Sequence, residues 1–372
     1  MEAAKEAGMK IIIDARESGS STGRYVDKLI EHMHKLKPEQ EITVLTKSPR
    51  ISYLQEIAPN FEIVKSDFKE FTFAEQTSLL KQINSLNADL VHFTMTQQPV
   101  RYKGRKLTTI HDLTTLRFEN PAKNPFIFRT KQLVYARVVK RVARTSAAII
   151  TPSKFVKQDV AQYANISLNK IAVTYEAADR ITAAPEPIPR LAGKQFIMYV
   201  GRATPHKNLR RLVEAFAILN KKYPDLMLAL AGKMDANYKR IEALATHKRL
   251  AHRVVFTDFA SEGELRWMYE NTAAYVFPSL SEGFGLPTLE AMVHGAPVIC
   301  SNATCLPEIN GDAAVYFDPK VTFDIAKKIS SMLSDTKLRG QLIRAGKSQA
   351  TRYSWQTTAK QTLDIYKQAL KN

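Results

Sequence analysis

The sequence contains few cysteines and no long hydrophobic run. No apolar stretch approaches the ~20 residues that a membrane-spanning helix needs, and the N-terminal Met1–Lys5 lacks the apolar core of a signal peptide. The two cysteines, Cys300 and Cys305, are too few for a disulfide framework or a four-cysteine metal site. We therefore expect a cytoplasmic protein.

The sequence also lacks a dinucleotide-binding motif and a cluster of metal ligands. A Gly-X-Gly-X-X-Gly loop after a strand, with an acidic residue about 20 positions later, would indicate NAD binding. No such loop is present, and histidine and carboxylate residues are not grouped at metal-ligand spacing. An NAD-dependent enzyme is thereby excluded, and we expect neither a metal nor another cofactor.

The chain of 372 residues carries a formal net charge of +18, which is unevenly distributed. Residues 101–144 contain twelve Lys or Arg residues against two acidic ones, Asp112 and Glu119. Within 129–144 the basic residues alternate with apolar ones at roughly helical spacing, a pattern typical of helices that bind anionic membrane surfaces. A solvated helix face explains the pattern equally well. No recognition motif or aromatic platform supports nucleic-acid binding.

Short apolar runs alternate with helical patterns, which favours parallel α/β sheets. We expect strands at Lys10–Ala15, Ile42–Thr46, Leu90–Thr94, Lys106–His111, Ala147–Thr151 and Ile171–Tyr175, and then at Phe196–Val200, Met227–Ala231, Val254–Thr257, Ala274–Phe277 and Pro297–Cys300. Three alternating prolines in residues 181–193 interrupt this pattern. We predict α/β domains at 1–180 and 194–354, a linker at 181–193 and a final helix at 355–372.

The most informative motif, Ser279-Leu-Ser-Glu-Gly-Phe-Gly-Leu-Pro-Thr-Leu-Glu290, follows a predicted strand of the second half. It places Glu282 and Glu290 eight positions apart around a Gly-X-Gly loop. Pro287 suits a first helical position, so we expect Glu290 in the first helical turn, where the helix dipole favours negative charge. Because ligands bind at the carboxyl ends of parallel strands, the two carboxylates are candidates for binding ligand hydroxyl groups.

A second loop, Val200-Gly-Arg-Ala-Thr-Pro-His-Lys-Asn208, joins the first strand of the second half to its first helix. Backbone N–H groups at a helix N-terminus, together with the cations Arg202 and Lys207, can hold a diphosphate. An ordinary basic surface turn is the alternative interpretation of this loop.

These two motifs resemble those of the family-4 retaining glycosyltransferases, which have the GT-B fold: two Rossmann-like domains facing across a cleft. The resemblance implies that Glu282 contacts the hexose of a nucleotide-sugar and Glu290 its ribose. It further implies that Arg202 and Lys207 stabilise the leaving nucleoside diphosphate. The loop residues Gly283, Phe284, Gly285 and Leu286 belong to the same donor site. In this fold, the C-terminal helix crosses back to the first domain.

In the first half, the resemblance points to two further site residues. Gly23, in a Gly-Arg-Tyr sequence after the first strand, is placed near the phosphates or the acceptor, although the preceding Gly-Ser-Ser-Thr departs from the family pattern. His111 is placed near the reacting sugar, with Asp112 fixing its tautomer. Without the resemblance, the glycine loop indicates a helix cap and the histidine a structural role. The segment Phe256–Ala260 is expected beside the nucleobase.

We therefore interpret the chain as a retaining, metal-independent hexosyltransferase. The chain has no Asp-X-Asp triplet, so the two cations are expected to replace a divalent metal. GDP-mannose is favoured as the donor and a glycan or lipid-linked hydroxyl as the acceptor, and residues 101–144 are a candidate for contact with an anionic membrane. The alternatives are a non-catalytic sugar- or nucleic-acid-binding protein and a glycoside hydrolase, whose paired carboxylates lie about 5–9.5 Å apart.

Overall fold

The computed structural model describes residues 8–20, 22–119 and 125–371. The chain divides into two compact units. Unit 1 comprises Met1–Leu113, Lys131–Glu176 and Ser354–Asn372, and unit 2 comprises Thr114–Thr130 and Ala177–Tyr353. Among the described residues, 114–119 and 125–130 thus group with unit 2, whereas the sequence analysis drew the first domain at 1–180.

Thirteen strands form the two sheets of the described chain. They are β1 Lys10–Asp14, β2 Glu41–Thr46, β3 Glu62–Lys65, β4 Leu90–Phe93, β5 Lys106–Thr109, β6 Ala148–Thr151, β7 Ile171–Val173, β8 Phe196–Val200, β9 Met227–Ala231, β10 Val254–Asp258, β11 Ala274–Phe277, β12 Val298–Ser301 and β13 Ala314–Phe317. Every pairing in both sheets is parallel, as the sequence predicted.

Fourteen α-helices occur in the described residues. They are α1 Gly23–Lys35, α2 Ile51–Ile57, α3 Leu80–Ser85, α4 Thr114–Arg117, α5 Pro125–Thr145, α6 Lys154–Ala164, α7 Leu209–Leu219, α8 Ala236–His247, α9 Glu262–Asn271, α10 Leu286–Val293, α11 Leu306–Asn310, α12 Thr322–Ser334, α13 Thr336–Ala350 and α14 Trp355–Lys371. One π-helical turn, Glu75–Leu79, precedes α3. None of the helices in the described chain combines the length and the hydrophobicity that crossing a membrane requires.

Unit 1 is a seven-stranded sheet in the order β3-β2-β1-β4-β5-β6-β7. Its central strands are apolar because helices cover both faces: Ile11, Ile12 and Ile13 of β1 are completely buried. The final helix α14 packs against α1. It is held by a 2.6 Å hydrogen bond between Tyr366 Oη and Nδ1 of His92 on β4.

Unit 2 is a six-stranded sheet in the order β10-β9-β8-β11-β12-β13. Counted from β8, this is the Rossmann order 3-2-1-4-5-6, in which the strand order reverses between the first and fourth strands. The sequence prediction omitted β3 and β13. Both are short strands at a sheet edge, and neither is buried along its whole length, so their apolar runs are too brief to stand out.

Candidate functional site

The strand order of unit 2 reverses between β8 and β11. In open α/β sheets, ligands bind next to such a reversal, outside the carboxyl ends of the two strands. The loops that leave these two strands are tied together there. The Leu280 N–H donates to the His206 carbonyl at 2.7 Å. Asn208 Nδ2 donates to the Pro278 carbonyl at 3.0 Å and to the Pro319 carbonyl at 2.7 Å. The two motifs of the second half therefore form one site.

The β8–α7 loop is shaped by two backbone positions in unusual conformations. Gly201 has φ of 140°, and a Cβ there would lie 2.8 Å from Tyr199 Oη. Asn208 adopts the left-handed conformation, with φ of 60°, directly before α7. Between them, a short 3₁₀ turn, Pro205–Lys207, turns the chain. Glycine suits the first position, because L side chains rarely adopt that φ, and asparagine is one of the residues that tolerate the left-handed conformation of the second.

Lys207 and Glu282 form an ion pair across the two loops. Lys207 Nζ lies 2.7 Å from Glu282 Oε1, and the side chains are only 19% and 11% exposed. The ammonium also lies 5.3 Å from the centroid of the Phe277 ring. Arg202, on the same loop, is exposed, and it makes no ion pair with any described residue. The site thus holds a neutralised pair and one solvated cation.

Two residues of the β12–α11 loop hold the backbone of Glu282. Its N–H donates to Thr304 Oγ1 at 3.2 Å, and the Cys305 thiol donates to its carbonyl at 3.3 Å. Burial, followed by the nearby charge of Glu282, raises the pKa of Cys305 well above its usual value, so the thiol stays neutral and keeps its donor. The sequence analysis did not identify this support, because the loop carries no motif of its own.

The Gly-X-Gly loop places backbone groups, not side chains, at the start of α10. Gly285 has φ of 87°, and a Cβ there would lie 2.5 Å from Leu306 Cδ2. Phe284 is 4% exposed, and its ring packs edge-on against Tyr353. The Phe284 ring is therefore part of the core and does not face a ligand at this loop.

Glu290 lies one residue further along α10 than the sequence predicted. The helix begins at Leu286, so Glu290 is its fifth residue and the prediction of a first-turn carboxylate is wrong. The reason is that Gly285 caps the helix, which places Pro287 at the second helical position. Tyr269 Oη donates to Glu290 Oε2 at 3.5 Å, the outer limit of a hydrogen bond.

The strand end expected beside the nucleobase is also unusual. β10 ends at Asp258, a non-glycine residue with φ of 55° whose carboxylate accepts the Met234 N–H at 2.8 Å. The next residue, Phe259, is 87% exposed. An aromatic face is thus available at the carboxyl edge of the sheet.

In unit 1, His111 packs against Tyr25, which lies two positions after Gly23. Gly23 begins α1, and a Cβ there would collide with the Glu17 carbonyl oxygen, so a larger residue does not fit. The Tyr25 and His111 rings lie 4.8 Å apart between centroids in an edge-on arrangement. Both residues follow strands that end at the same edge of the sheet, β1 and β5.

Both ring nitrogens of His111 face protein groups. Nε2 donates to the Thr94 carbonyl at 3.0 Å, and Nδ1 lies 3.5 Å from Glu176 Oε1. These two contacts orient the imidazole, and the role that the sequence analysis assigned to Asp112 stays a prediction. Burial lowers the pKa of His111, but Glu176 and the Thr94 carbonyl outweigh it, and the net pKa is raised. Nothing in the local sequence pointed to Glu176, which is 65 positions away.

Within the described residues no group of three or more His, Cys, Asp or Glu side chains is arranged to hold a metal ion. In unit 2 the structure brings Lys207, Glu282 and the Gly283–Leu286 loop together. Arg202 lies on the same loop as Lys207, and Glu290 lies on the helix that follows. Gly23 and His111 both lie in unit 1.

Two family models match the chain. The model described as Glycosyltransferase Family 4 matches residues 22–180, and the model described as Glycosyl transferases group 1 matches residues 182–349. The O-antigen chain mannosyltransferase B of Escherichia coli is 30% identical over 275 residues, which cover 71% of this chain and 70% of that protein.

Solved structures share the fold. Sucrose-phosphate synthase from Thermosynechococcus elongatus matches with a TM-score of 0.78 at 18% identity, covering 97% of this chain and 98% of that one. Anabaena HepE in complex with UDP-glucose matches with a TM-score of 0.73 at 17% identity, covering 96% and 99%. The fold is GT-B, with two Rossmann-like domains, and the protein is a glycosyltransferase. The chain belongs to the family-4 glycosyltransferases, as its motifs predicted.

Proposed function

We propose that this glycosyltransferase moves a hexose from a nucleoside diphosphate sugar to a hydroxyl group of a glycan or lipid-linked acceptor. The observation that carries the proposal is the Lys207–Glu282 pair, which lies where the strand order of unit 2 reverses and directly before the N-terminus of α10. A cation and a carboxylate at one point, next to the start of a helix, suit a ligand with both phosphate and hydroxyl groups.

The donor is assigned to these groups by their chemistry. Lys207 and the solvated Arg202 bind the diphosphate, helped by the N–H groups of the Gly283–Leu286 loop. Glu282 accepts hydrogen bonds from hexose hydroxyls, and Glu290 from the ribose. Donor binding exchanges the Glu282 partner of Lys207 for a phosphate oxygen, which frees the carboxylate for the sugar.

The proposed reaction is metal-independent and retains the anomeric configuration. The bond between the anomeric carbon and the β-phosphate oxygen breaks, and the acceptor oxygen bonds to that carbon on the face that the phosphate vacates. The hydroxyl proton passes to the leaving diphosphate. Negative charge develops on the diphosphate during this step, and preorganised cations such as Lys207 and Arg202 stabilise it.

In unit 1, we assign Gly23 and His111 to the same reaction. The Gly23 N–H begins α1 and suits an anionic or hydroxyl group. His111 needs to release either the Thr94 carbonyl or Glu176 before a ring nitrogen can contact a sugar hydroxyl. A protonated His111 beside Glu176 adds positive charge near the reacting groups in this proposal.

The proposed donor is GDP-mannose, and the proposed setting is the cytoplasm, at the inner face of the membrane. The mannose assignment is supported by the name of the Escherichia coli relative, a mannosyltransferase of O-antigen chains. The exposed Phe259 at the end of β10 is available to stack on the base.

The test is transfer of radiolabelled mannose from GDP-mannose, with UDP-glucose and UDP-N-acetylglucosamine as competing donors. Lys207→Met is expected to lower kcat by roughly 10²-fold or more, because a preorganised charge at the leaving group is lost. Glu282→Gln is expected to abolish most transfer. Glu214→Gln is the matched control, since Glu214 also forms an ion pair in unit 2, with Arg210 at 2.9 Å. Wild-type transfer by Glu282→Gln would refute the assignment.

A further inference from the structure

His294 lies directly after α10, the helix that carries Glu290, and is 6% exposed. Its Nδ1 lies 2.8 Å from the Glu290 carbonyl oxygen. Its ring stacks on the ring of Tyr269, with 5.4 Å between the centroids and 14° between the planes. Because the Tyr269 hydroxyl reaches Glu290 Oε2, His294 contacts both the backbone of Glu290 and the residue beside its carboxylate.

The other ring nitrogen of His294 binds the start of the linker. Nε2 lies 3.0 Å from the backbone nitrogen of Ile181. A backbone N–H can only donate and a carbonyl can only accept, so the neutral imidazole carries its proton on Nδ1 and a lone pair on Nε2. Protonation of Nε2 would set two N–H groups against each other and break the hydrogen bond with Ile181.

Helix α9 holds the same stretch of the linker. Arg266 Nη1 donates to the Ala183 carbonyl at 2.9 Å, and its Nε lies 2.9 Å from Glu270 Oε1. Glu270 Oε1 also lies 4.0 Å from Arg180 Nη2. The start of the linker is thus fixed to α9 as well as to the end of α10, and all of these residues belong to unit 2.

The groups that surround His294 favour its neutral form. Burial lowers its pKa, Glu270 opposes this effect, and Arg180 and Arg266 add to it, so the net pKa is lowered. Helix α13, which packs on α10, contributes another cation, because a Cβ on the residue after His294 would lie 3.6 Å from Lys347 Cε. The helix dipole usually favours a protonated histidine at a C-terminus. Here burial and the neighbouring cations outweigh it, and the ring is neutral at pH 7.

We propose that neutral His294 is a positioning residue for Glu290, and that its protonation releases the linker and weakens nucleotide binding. The ring holds the Glu290 backbone directly and its carboxylate through Tyr269. The hydrogen bond from Ile181 fixes the ring in this orientation, and it forms only while Nε2 is unprotonated. This assignment rests on the proposed function, in which Glu290 binds the ribose.

The test is calorimetric titration of the full-length protein with GDP and with UDP between pH 7.5 and pH 5. The wild type should bind its preferred nucleotide about tenfold more weakly at pH 5, because one unmade buried hydrogen bond accounts for about that factor. His294→Gln offers an acceptor to Ile181 but does not titrate. It should bind like the wild type at pH 7.5 and lose less affinity at pH 5.

A second variant removes both hydrogen bonds at every pH. His294→Phe keeps an aromatic ring on Tyr269 and should bind the nucleotide about tenfold more weakly than the wild type already at pH 7.5. In donor kinetics at pH 7.5 it should raise KM and leave kcat unchanged, because the ribose contact is the same in the ground state and the transition state. If His294→Phe does not fold, as judged by circular dichroism, the comparison of the wild type with His294→Gln decides.

His247→Gln is the matched control, because His247 is an exposed histidine of α8 in the same unit. Its affinity should follow that of the wild type at every pH. The nucleotide phosphate and the other histidines titrate in all of these proteins, so their effects cancel when the pH profiles are compared.

Three results would overturn this proposal alone. The first is an identical pH profile for the wild type and His294→Gln, and the second is wild-type affinity of His294→Phe at pH 7.5. The third is a loss of kcat with unchanged KM in His294→Phe, which would indicate a purely structural role. If the wild type binds neither nucleotide at any pH, the proposed function is overturned together with this proposal.

Discussion

At the residue scale, Lys207 and Glu282 depend on each other electrostatically. They are 19% and 11% exposed, so removal of one leaves the other charge poorly solvated. We expect Lys207→Met to lower the free energy of unfolding by roughly 1 kcal/mol or more. The double variant Lys207→Met/Glu282→Gln should recover part of that stability in urea denaturation but none of the transfer activity. Equal stability of the single and double variants would show that the pair is not coupled.

His111 and Glu176 predict a dependence of stability on pH. The folded pKa of His111 is raised above its usual 6.5, so the folded state holds the proton more tightly than the unfolded state. This contribution is fully present below pH 6.5 and is lost as pH rises through the folded pKa. Glu176→Gln should lower the pKa of His111 and remove the loss of stability at higher pH. Histidine NMR titration measures the pKa, and urea denaturation measures the stability. An unchanged titration would exclude Glu176 as the cause.

His92 predicts the opposite dependence. Burial lowers the folded pKa of His92 from 6.5 to about 3, with a smaller effect from the charge of His111. The unfolded state therefore binds the proton first, and stability falls as pH drops from 6.5 towards 3. We expect His92→Gln to be less stable at pH 7 but to show a shallower acid dependence in urea titrations. Parallel curves for both proteins would contradict this assignment.

At the element scale, α14 is tied to the sheet of unit 1 by the Tyr366–His92 hydrogen bond of 2.6 Å. Tyr366→Phe leaves His92 Nδ1 buried without a partner, at an expected cost of about 1–3 kcal/mol. Tyr53→Phe in the same unit is the control, because the Tyr53 hydroxyl makes no hydrogen bond to the described residues. Its effect should stay within about 0.5 kcal/mol. Thermal and urea unfolding measure the stability of both variants. A similar loss of stability in Tyr366→Phe and Tyr53→Phe would contradict the prediction.

Most elements could be predicted from sequence, because a buried parallel strand is an uninterrupted apolar run and a covering helix has a 3.6-residue period. The edge strands β3 and β13 could not, since partial exposure admits polar residues. The start of α10 was wrong by one residue because Gly285, in the left-handed conformation, caps the helix in place of a side-chain cap. Helix ends depend on such local dihedral angles more than on periodicity.

At the scale of the whole molecule, nucleotide binding should stabilise the protein. A nucleoside diphosphate that binds only the folded protein adds about 2.7 kcal/mol to its free energy of unfolding when present at 100 times the dissociation constant. We expect GDP to raise the unfolding temperature more than UDP or ADP, because it binds to unit 2, which contains Glu282 and Glu290. Lys207→Met should reduce the shift, whereas Glu214→Gln should not. The absence of a shift with any nucleotide would remove the donor site from the proposed function.

The sequence alone determined the parallel α/β architecture, the family and the two motifs of unit 2, because these depend on local periodicity and on short spacings. Only the tertiary structure decided which side chains meet. Lys207 and Glu282 are 75 positions apart, Glu176 lies 65 positions after His111, and the Phe71 ring reaches the ring of Tyr135. Such contacts arise when the fold brings distant segments of the chain side by side, and no local pattern records that approach.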